Sequence, residues 1–276
     1  MTEPLFSVRG LNVALPDMTR KPLIGRAPPA EILKGLDFDL PKGSVTGIVG
    51  ESGSGKSTLG RALVRLIEPS AGSIGFDGRD ISHLSEADLR PLRRDLQMIF
   101  QDPMSSLNPR HTIFTIIAAP LRQNGLGDRL KERVAEALQR VGLPQNFAGR
   151  YRHELSGGQR QRVGIARALA LSPKFVLADE IVSGLDVSTQ AQILTLLEKL
   201  AAEMGLTIAF ISHDLSVIRR LCQQVIVMRE GRIVELSATD ALFDNPKEAY
   251  TRDLLAAIPL PEIDADWLRP PAKAPA

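Results

Sequence analysis

The residues from Gly50 to Thr58 carry the clearest chemistry in this sequence, Gly-Glu-Ser-Gly-Ser-Gly-Lys-Ser-Thr. Glycines let consecutive backbone N–H groups turn inward around phosphate oxygens. Lys56 adds a mobile cation for the β- and γ-phosphates of a nucleotide, and Ser57 adds a hydroxyl for Mg²⁺. The pattern predicts a phosphate-binding loop made of Gly50, Glu51, Ser52, Gly53, Ser54, Gly55, Lys56, Ser57 and Thr58.

Such a loop needs a strand before it and a helix after it, and the sequence offers both. The apolar run Val45–Val49 precedes the loop, and a helical pattern from Thr58 to Ile67 follows it. The partial positive charge at the start of this helix would face the same anion. The alternative, a Gly/Ser-rich turn that binds nothing, is disfavoured by the complete spacing and context.

Three further apolar runs, Leu96–Phe100, Phe175–Ala178 and Thr207–Ile211, also lead directly into polar residues. Compact apolar runs are typical of buried parallel strands. The carboxyl ends of parallel strands lie along one edge of a sheet, where ligands bind. We therefore expect these polar residues to lie near the phosphate-binding loop: Gln101, Asp179, Glu180, Ser212 and His213.

The types of these residues suit phosphoryl chemistry. Asp179 and Glu180 are adjacent, so at a strand end they point in different directions. One carboxylate can hold Mg²⁺ while the other polarises a water for in-line attack on the γ-phosphate. His213 is expected to hydrogen-bond the γ-phosphate, and Gln101 to contact the metal ion. The alternatives are a solvated acidic turn and a loop histidine whose neighbours, Ser212 or Asp214, cap the next helix.

A second helix start with anion-binding character lies at Leu155–Arg162. Ser156 and Gln159 have the spacing of a capping box, which is one interpretation. Two glycines in the first turn weaken a helix by about 1 kcal/mol each, so a benefit such as close backbone approach to a ligand is expected. A helix start with free N–H groups suits a phosphate.

Short strands alternate with helical patterns, which indicates an α/β protein with a parallel core. Phe6–Val13 and Ile32–Leu40 are predicted as early strands, and Ser188–Met204 has the spacing of an amphipathic helix. The stretch from Asp102 to Ser172 offers helical patterns, at Thr112–Gln123, at Asp128–Val141 and from Ser156, and no clear strand. We interpret it as an inserted helical subdomain. The proline-rich tail after Ala256 is predicted to be extended or disordered.

Composition excludes several classes of protein. The net charge of +2 over 276 residues gives no electrostatic argument for nucleic-acid binding. The single cysteine, Cys222, cannot form an internal disulfide or an all-cysteine metal site. The longest apolar candidate, Ile113–Leu121, is too short for a membrane span and contains Pro120. The residues Met1–Pro4 do not resemble a signal peptide, so we expect a cytosolic protein.

Six segments together resemble the motifs of ATP-binding cassette (ABC) ATPases, over nearly the whole chain: Gly50–Thr58, Gln101, Leu155–Gln159, Asp179-Glu180, Ser183–Asp186 and His213. The resemblance implies a P-loop NTPase fold, with a RecA-like parallel core, an antiparallel β subdomain and an inserted helical subdomain. It places the core in residues 1–101 and 173–240, the helical subdomain in 102–172 and a C-terminal extension in 241–276.

In that family two subunits pack head to tail around ATP and Mg²⁺. The resemblance implies that one subunit contributes the phosphate-binding loop with the catalytic residues Lys56, Gln101, Glu180 and His213 and the metal ligands Ser57, Gln101 and Asp179. It implies that the other subunit contributes Ser156, Gly157, Gly158, Gln159 and Asp186.

A narrower resemblance, in Gln101–Arg110, Asp186–Leu194 and Asn245–Pro259, is to the ATPase subunits of bacterial oligopeptide/dipeptide importers, to which nickel importers are close. The lone Cys222 and the long Pro16–Pro29 loop match the subunit without an iron–sulfur cluster. The implied partners are a homologous second ATPase, two membrane permeases and an extracytoplasmic solute-binding protein. The implied location is peripheral, on the cytoplasmic face of the membrane.

The sequence departs from the family pattern at three places. Ile181 stands where the family usually has proline, Leu15 stands where an aromatic residue usually stacks on adenine, and Glu248-Ala249 replaces His-Pro before Tyr250. The alternative function is that of an ABC ATPase without a permease, as in repair or translation. Such proteins carry a long coiled-coil insertion or two cassettes in one chain, and this sequence has neither.

Overall fold

The computed structural model describes residues 3–17, 25, 27–102 and 106–257. Its strands are β1 (Pro4–Pro16), β2 (Pro29–Pro41), β3 (Val45–Val49), β4 (Ala71–Phe76), β5 (Arg79–Asp80), β6 (Leu96–Ile99), β7 (Phe175–Asp179), β8 (Thr207–Ile211), β9 (Gln224–Arg229) and β10 (Arg232–Ala238). Its α-helices are α1 (Lys56–Leu63), α2 (Glu86–Leu89), α3 (Ile113–Gln123), α4 (Leu130–Arg140), α5 (Gly157–Leu169), α6 (Val187–Met204), α7 (Leu215–Leu221), α8 (Thr239–Asp244) and α9 (Ala249–Ala256).

The central sheet has the order β10-β9-β3-β8-β7-β6. All neighbouring pairs are parallel except β9 and β10, which form an antiparallel hairpin. The strands predicted from apolar runs, β3, β6, β7 and β8, are all in this sheet. Their carboxyl ends therefore lie at one edge, and the parallel α/β core predicted from the sequence is confirmed.

Residues on alternate sides of each central strand pack into different layers, as the two-residue period of a strand requires. In β7, Phe175 and Leu177 face the layer that contains β1, β2, β4 and α1. Val176 and Ala178 face the layer of α3–α7 instead. Burial on both faces explains why these strands are continuously apolar in the sequence.

The second sheet, with the order β2-β1-β4-β5, is antiparallel. It packs on the central sheet through aromatic side chains: the ring of Phe6 lies 5.0 Å from that of Phe76 and 4.6 Å from that of Phe175, centroid to centroid. This is the antiparallel part of the fold that the family resemblance implied. The strands β4, β5, β9 and β10 were not identified from the sequence.

Helix ends differ slightly from the predictions, for local reasons. The helix after the phosphate-binding loop starts at Lys56 and ends at Leu63 rather than Ile67. Arg65 takes a left-handed conformation (φ 52°), and its buried guanidinium donates to Ile81 O at 2.7 Å. A left-handed residue cannot continue a right-handed helix. The predicted Asp128–Val141 helix starts at Leu130, because Arg129 is also left-handed (φ 52°).

Between β6 and β7 the described chain forms helices and turns and contributes no strand to either sheet. The helices α3, α4 and α5 bury one apolar face each in a common cluster. The division into a core, a helical subdomain and a C-terminal extension stays a prediction. Most of the Pro16–Pro29 loop, residues 103–105 and the proline-rich tail from residue 258 lie outside the described residues.

No helix within the described ranges is long and apolar enough to cross a membrane. Cys222 is buried in the helical layer, where burial raises the pKa of its thiol. This is the small apolar role expected for an isolated cysteine.

Candidate nucleotide site

A cleft of about 460 Å³ opens above the phosphate-binding loop. It brings together residues from the ends of β3, β7 and β8 with one apolar residue of β2. Its lining residues are Ile32, Gly50, Ser52, Gly53, Gly55, Lys56, Ser57, Thr58, Glu180 and His213. Strand order therefore brings Glu180 and His213 to the loop, as the sequence predicted.

Two glycines give the phosphate-binding loop its shape. Gly50 has a φ of 144°, and a Cβ at this position would lie 2.1 Å from the carbonyl oxygen of Met228 on β9. Gly55 has a φ of 103° and immediately precedes α1. Because Gly55 has no side chain, it makes no side-chain cap to the first N–H groups of α1. Those groups are the anion-binding feature of a helix start.

Lys56 is buried at the base of the cleft. Its ammonium donates hydrogen bonds of 2.7 Å to Gly50 O and 2.7 Å to Glu51 O. Burial lowers the pKa of Lys56, and the nearby carboxylates of Glu180 and Asp179 oppose this shift. The structure thus holds a poorly hydrated cation over the loop, and an incoming phosphate group could replace its carbonyl partners.

Asp179 ends β7 as a buried carboxylate. Ser57 Oγ donates to its Oδ1 at 3.2 Å. Burial raises the pKa of Asp179, although the Ser57 hydroxyl opposes that effect. A carboxylate and a hydroxyl side by side form an oxygen donor set of the kind that Mg²⁺ prefers, so the residues present fit this ion.

Glu180 lies between two predicted site residues. Gln101 Nε2 donates to Glu180 Oε2 at 2.9 Å, and His213 Nδ1 lies 3.7 Å from Glu180 Oε1. Glu180 adopts a left-handed backbone (φ 49°), which is uncommon outside glycine. The N–H and the hydroxyl of Ser183 hold the turn by donating to Glu180 O at 3.1 and 2.7 Å.

The side chain of His213 is 67% exposed, whereas that of Glu180 is 25% exposed. The neighbouring cap belongs to Asp214, whose Oδ1 accepts from Ser216 N at 2.9 Å at the start of α7. This is the helix cap that the sequence offered as an alternative, and His213 lies in the connection between β8 and α7. Its ring is available to a group entering the cleft.

The second predicted anion site does not line this cleft in the same chain. At the start of α5, Ser156 Oγ accepts from Gln159 N at 3.3 Å, and Gln159 Oε1 accepts from Ser156 N at 3.0 Å. This reciprocal pair is the capping box that the sequence also allowed. A Cβ on Gly158 would lie 2.5 Å from Thr189 Cγ2, so helix packing accounts for that glycine.

Asp186 caps α6 and lies on the surface. Its carboxylate accepts from Thr189 N at 2.9 Å, Thr189 Oγ1 at 2.7 Å and Ser188 Oγ at 2.8 Å. These hydrogen bonds lower the pKa of Asp186 to about 2, and those from Thr189 have the largest effect. The adjacent Val187 is 84% exposed, an unusual place for a large apolar side chain on a free surface.

Three residues that shape the site were not predicted as site residues from the sequence. Ile32 lines the cleft, Met228 closes the space behind Gly50, and Tyr250 accepts from Glu51 N at 3.1 Å. Tyr250 lies in the segment Asn245–Pro259, and the sequence did not indicate what that segment packs against. Of the three departures, Ile181 is 1% exposed and packs in the core, and Leu15 is partly buried against the layer that contains β1, β2, β4 and α1.

A parallel sheet, a glycine-rich loop ahead of a helix and an Asp-Glu pair at the neighbouring strand end define a P-loop nucleotide-binding protein. The ABC transporter family model matches residues 33–183. A peptide import ATP-binding protein of Brucella ovis is 51% identical over 96% of this chain and 82% of its own length. The chain belongs to the ABC transporter family and is one of its ATPases.

Two further comparisons agree. The glutathione import ATP-binding protein GsiA of Salmonella paratyphi A is 51% identical over 94% of this chain and 42% of its own length. A dimeric structure of the ATP-binding cassette MJ0796, bound to ADP and Pi after hydrolysis, superposes with a TM-score of 0.73. It is 30% identical and covers 85% of this chain and 98% of that one.

Proposed function

We propose that this ATPase powers the import of peptides or related small solutes through partner permeases. The observation that carries the proposal is the 51% identity to a peptide import ATP-binding protein over 96% of the chain. The equal identity to a glutathione import protein favours the same class of solute, because glutathione is itself a small peptide. Import of nickel or of another solute is the alternative within the family.

The side chains of the cleft suggest how ATP is bound and attacked. Lys56 exchanges its two carbonyl partners for the β- and γ-phosphates, which satisfies its buried charge. Glu180, which Gln101 orients before nucleotide and metal arrive, holds a water in line with the γ-phosphate and takes its proton. His213 donates to a γ-phosphate oxygen from the opposite side of Glu180.

Ser57, Asp179 and Gln101 are the residues that we assign to Mg²⁺. The hydroxyl of Ser57 and the carboxylate of Asp179 are 3.2 Å apart, so both can reach one ion. When bound, Mg²⁺ neutralises charge on the β- and γ-phosphate oxygens. Gln101 would have to exchange its contact with Glu180 for this ion, which links metal binding to release of the Glu180 carboxylate.

The active unit is proposed to be a head-to-tail dimer. Ser156, Gly157, Gly158 and Gln159 lie outside the cleft of their own chain, so they are free to close over the nucleotide of a partner. The exposed Val187 beside Asp186 supports a subunit boundary at the start of α6. A homologous, non-identical ATPase is the partner that we expect, with a solute-binding protein outside the membrane.

A groove of about 410 Å³ supports contact with a permease. Leu66 and Phe100, which are 57% and 43% exposed, line it together with Ile116 of α3. Phe100 directly precedes Gln101, so a change at the nucleotide site reaches this surface through one peptide bond. We assign the groove to an apolar cytoplasmic segment of the permease, which would hold this subunit at the inner face of the membrane.

Reconstitution tests this assignment. Leu66→Glu should abolish co-purification with the permeases and their stimulation of ATP hydrolysis, while basal hydrolysis by the isolated subunit remains. Leu236→Glu, which charges an exposed leucine on β10, is the matched control and should retain both co-purification and stimulation.

The transported solute is tested in the same reconstituted vesicles by measuring uptake of peptide, glutathione and nickel. Co-purification with ribosomes or DNA instead of permeases would overturn the proposed function.

A further inference from the structure

The hairpin of β9 and β10 holds the phosphate-binding loop from behind. Gly231 N donates to Ser54 O at 3.0 Å, and the carbonyl of Met228 occupies the space where Gly50 would carry a Cβ. These contacts leave the loop no room to move toward β9. They do not involve the N–H of Glu51, which belongs to the peptide group between Gly50 and Glu51 and has another partner.

That partner comes from the C-terminal helix. The hydroxyl of Tyr250, in the first turn of α9, accepts a hydrogen bond of 3.1 Å from Glu51 N. The guanidinium carbon of Arg229 lies 4.9 Å from the centre of the Tyr250 ring, a cation–π contact that holds the ring in place. A residue almost 200 positions away in the chain therefore touches the nucleotide loop directly.

The contact matters because it acts on one rigid peptide group. The carbonyl of Gly50 and the N–H of Glu51 belong to the same planar unit, and in a trans peptide they point in opposite directions. Lys56 Nζ donates to that carbonyl at 2.7 Å, while Tyr250 accepts from that N–H. A peptide that follows glycine rotates easily, so fixing one end fixes where the other points.

Helix α9 is itself anchored, so Tyr250 is presented from a fixed position. Glu235 of β10 is only 7% exposed, and its carboxylate accepts from Lys247 N and Glu248 N, each at 3.1 Å. Burial alone would raise the pKa of Glu235, but the hydrogen bonds to its carboxylate lower it. Glu248 is the residue before α9, so these bonds fix where the helix starts.

We propose that Tyr250 is a positioning residue for ATP binding. It holds the Gly50–Glu51 peptide group so that the Gly50 carbonyl faces Lys56 and the loop keeps its phosphate-binding shape when Lys56 transfers to the phosphates. The C-terminal extension is thereby part of the nucleotide site. This inference rests on the proposed nucleotide site at the phosphate-binding loop.

The experiment compares wild type with Tyr250→Phe, which removes only the hydroxyl. The matched control is Asp253→Asn, an exposed position on the same helix. The Kd for a fluorescent ATP analogue and the KM for ATP should both rise about threefold to tenfold in Tyr250→Phe, the range expected for one lost hydrogen bond, with kcat within about twofold. Asp253→Asn should match wild type in both.

Hydrogen exchange without nucleotide gives a second measurement. Exchange in a peptide spanning the phosphate-binding loop should be faster in Tyr250→Phe and unchanged in Asp253→Asn, with equal thermal midpoints for the three proteins. Unchanged exchange and unchanged Kd in Tyr250→Phe would overturn the role of Tyr250 alone. Failure of wild type to bind ATP would overturn the proposed nucleotide site together with this inference.

Discussion

Gln101 donates a hydrogen bond of 2.9 Å to the carboxylate of Glu180, although the two residues are 79 positions apart in the chain. The bond joins the second residue after β6 to the first residue after β7, and these strands are neighbours in the central sheet. The Oε2 atom of Glu180 is thus held in place before any nucleotide arrives. The other carboxylate oxygen, Oε1, lies on the side of His213.

Glu180→Gln should therefore bind ATP and fail to hydrolyse it. Glutamine keeps the shape of the side chain but cannot take a proton from water, so steady-state hydrolysis should fall about a hundredfold or more. Phosphate release and ATP binding, measured on the same preparation, separate the two effects. Glu136→Gln on the exposed side of α4 is the control. Turnover near wild type in Glu180→Gln would remove Glu180 from the role of base.

Asp179→Asn should make the nucleotide-free protein more stable and less active. Because burial raises the pKa of Asp179 in the folded state, ionisation of this carboxylate at neutral pH opposes folding. The amide oxygen of asparagine can still accept from Ser57, so we expect a melting temperature about 2–4 °C higher. Mg²⁺-dependent hydrolysis should be lost in the same variant. A lower melting temperature would contradict the argument from burial.

Gly50→Ala should disrupt the phosphate-binding loop. The new methyl group would lie 2.1 Å from the carbonyl oxygen of Met228 on β9. Gly50 directly follows β3, which is paired with β9, so neither β3 nor β9 can move without breaking the sheet. We expect a loss of about 1–3 kcal/mol in the free energy of unfolding and loss of ATP binding. Gly127→Ala, where nothing lies within 4 Å of the added carbon, should change neither. Equal behaviour of the two variants in denaturant titration would show that the loop tolerates displacement.

The pH dependence of Asp186→Asn tests the charge of the α6 cap. Hydrogen bonds from Thr189 and Ser188 lower the pKa of Asp186 to about 2, below the value of about 3.9 in an unfolded chain. Stability from this charge is therefore complete above about pH 4 and is lost as the pH falls toward about 2. The difference in unfolding free energy between wild type and Asp186→Asn should shrink as the pH falls from about 4 to about 2. A constant difference would mean that the carboxylate charge contributes nothing.

Two kinds of site residue could be predicted from the sequence: those that belong to a local motif and those that directly follow a buried strand. The phosphate-binding loop, the Ser156–Gln159 capping box and the Asp214 cap depend on residues within a few positions of one another. Asp179, Glu180 and His213 were predicted because apolar runs end there, and parallel strands place their ends on one edge. The strands β9 and β10 were not identified from the sequence. The contacts that Met228 and Gly231 of this hairpin make with the phosphate-binding loop were therefore missed as well.

The sequence by itself determined which family this chain belongs to and that it is an ATPase, and it predicted which residues meet the phosphates, because those properties are carried by short segments with fixed spacing. Only the tertiary structure decided that Met228 forbids a side chain at Gly50, that Thr189 forbids one at Gly158, that Gln101 orients Glu180 and that Tyr250 reaches Glu51. These contacts join residues far apart in the chain. Their distances depend on strand order and helix packing, which no local pattern encodes.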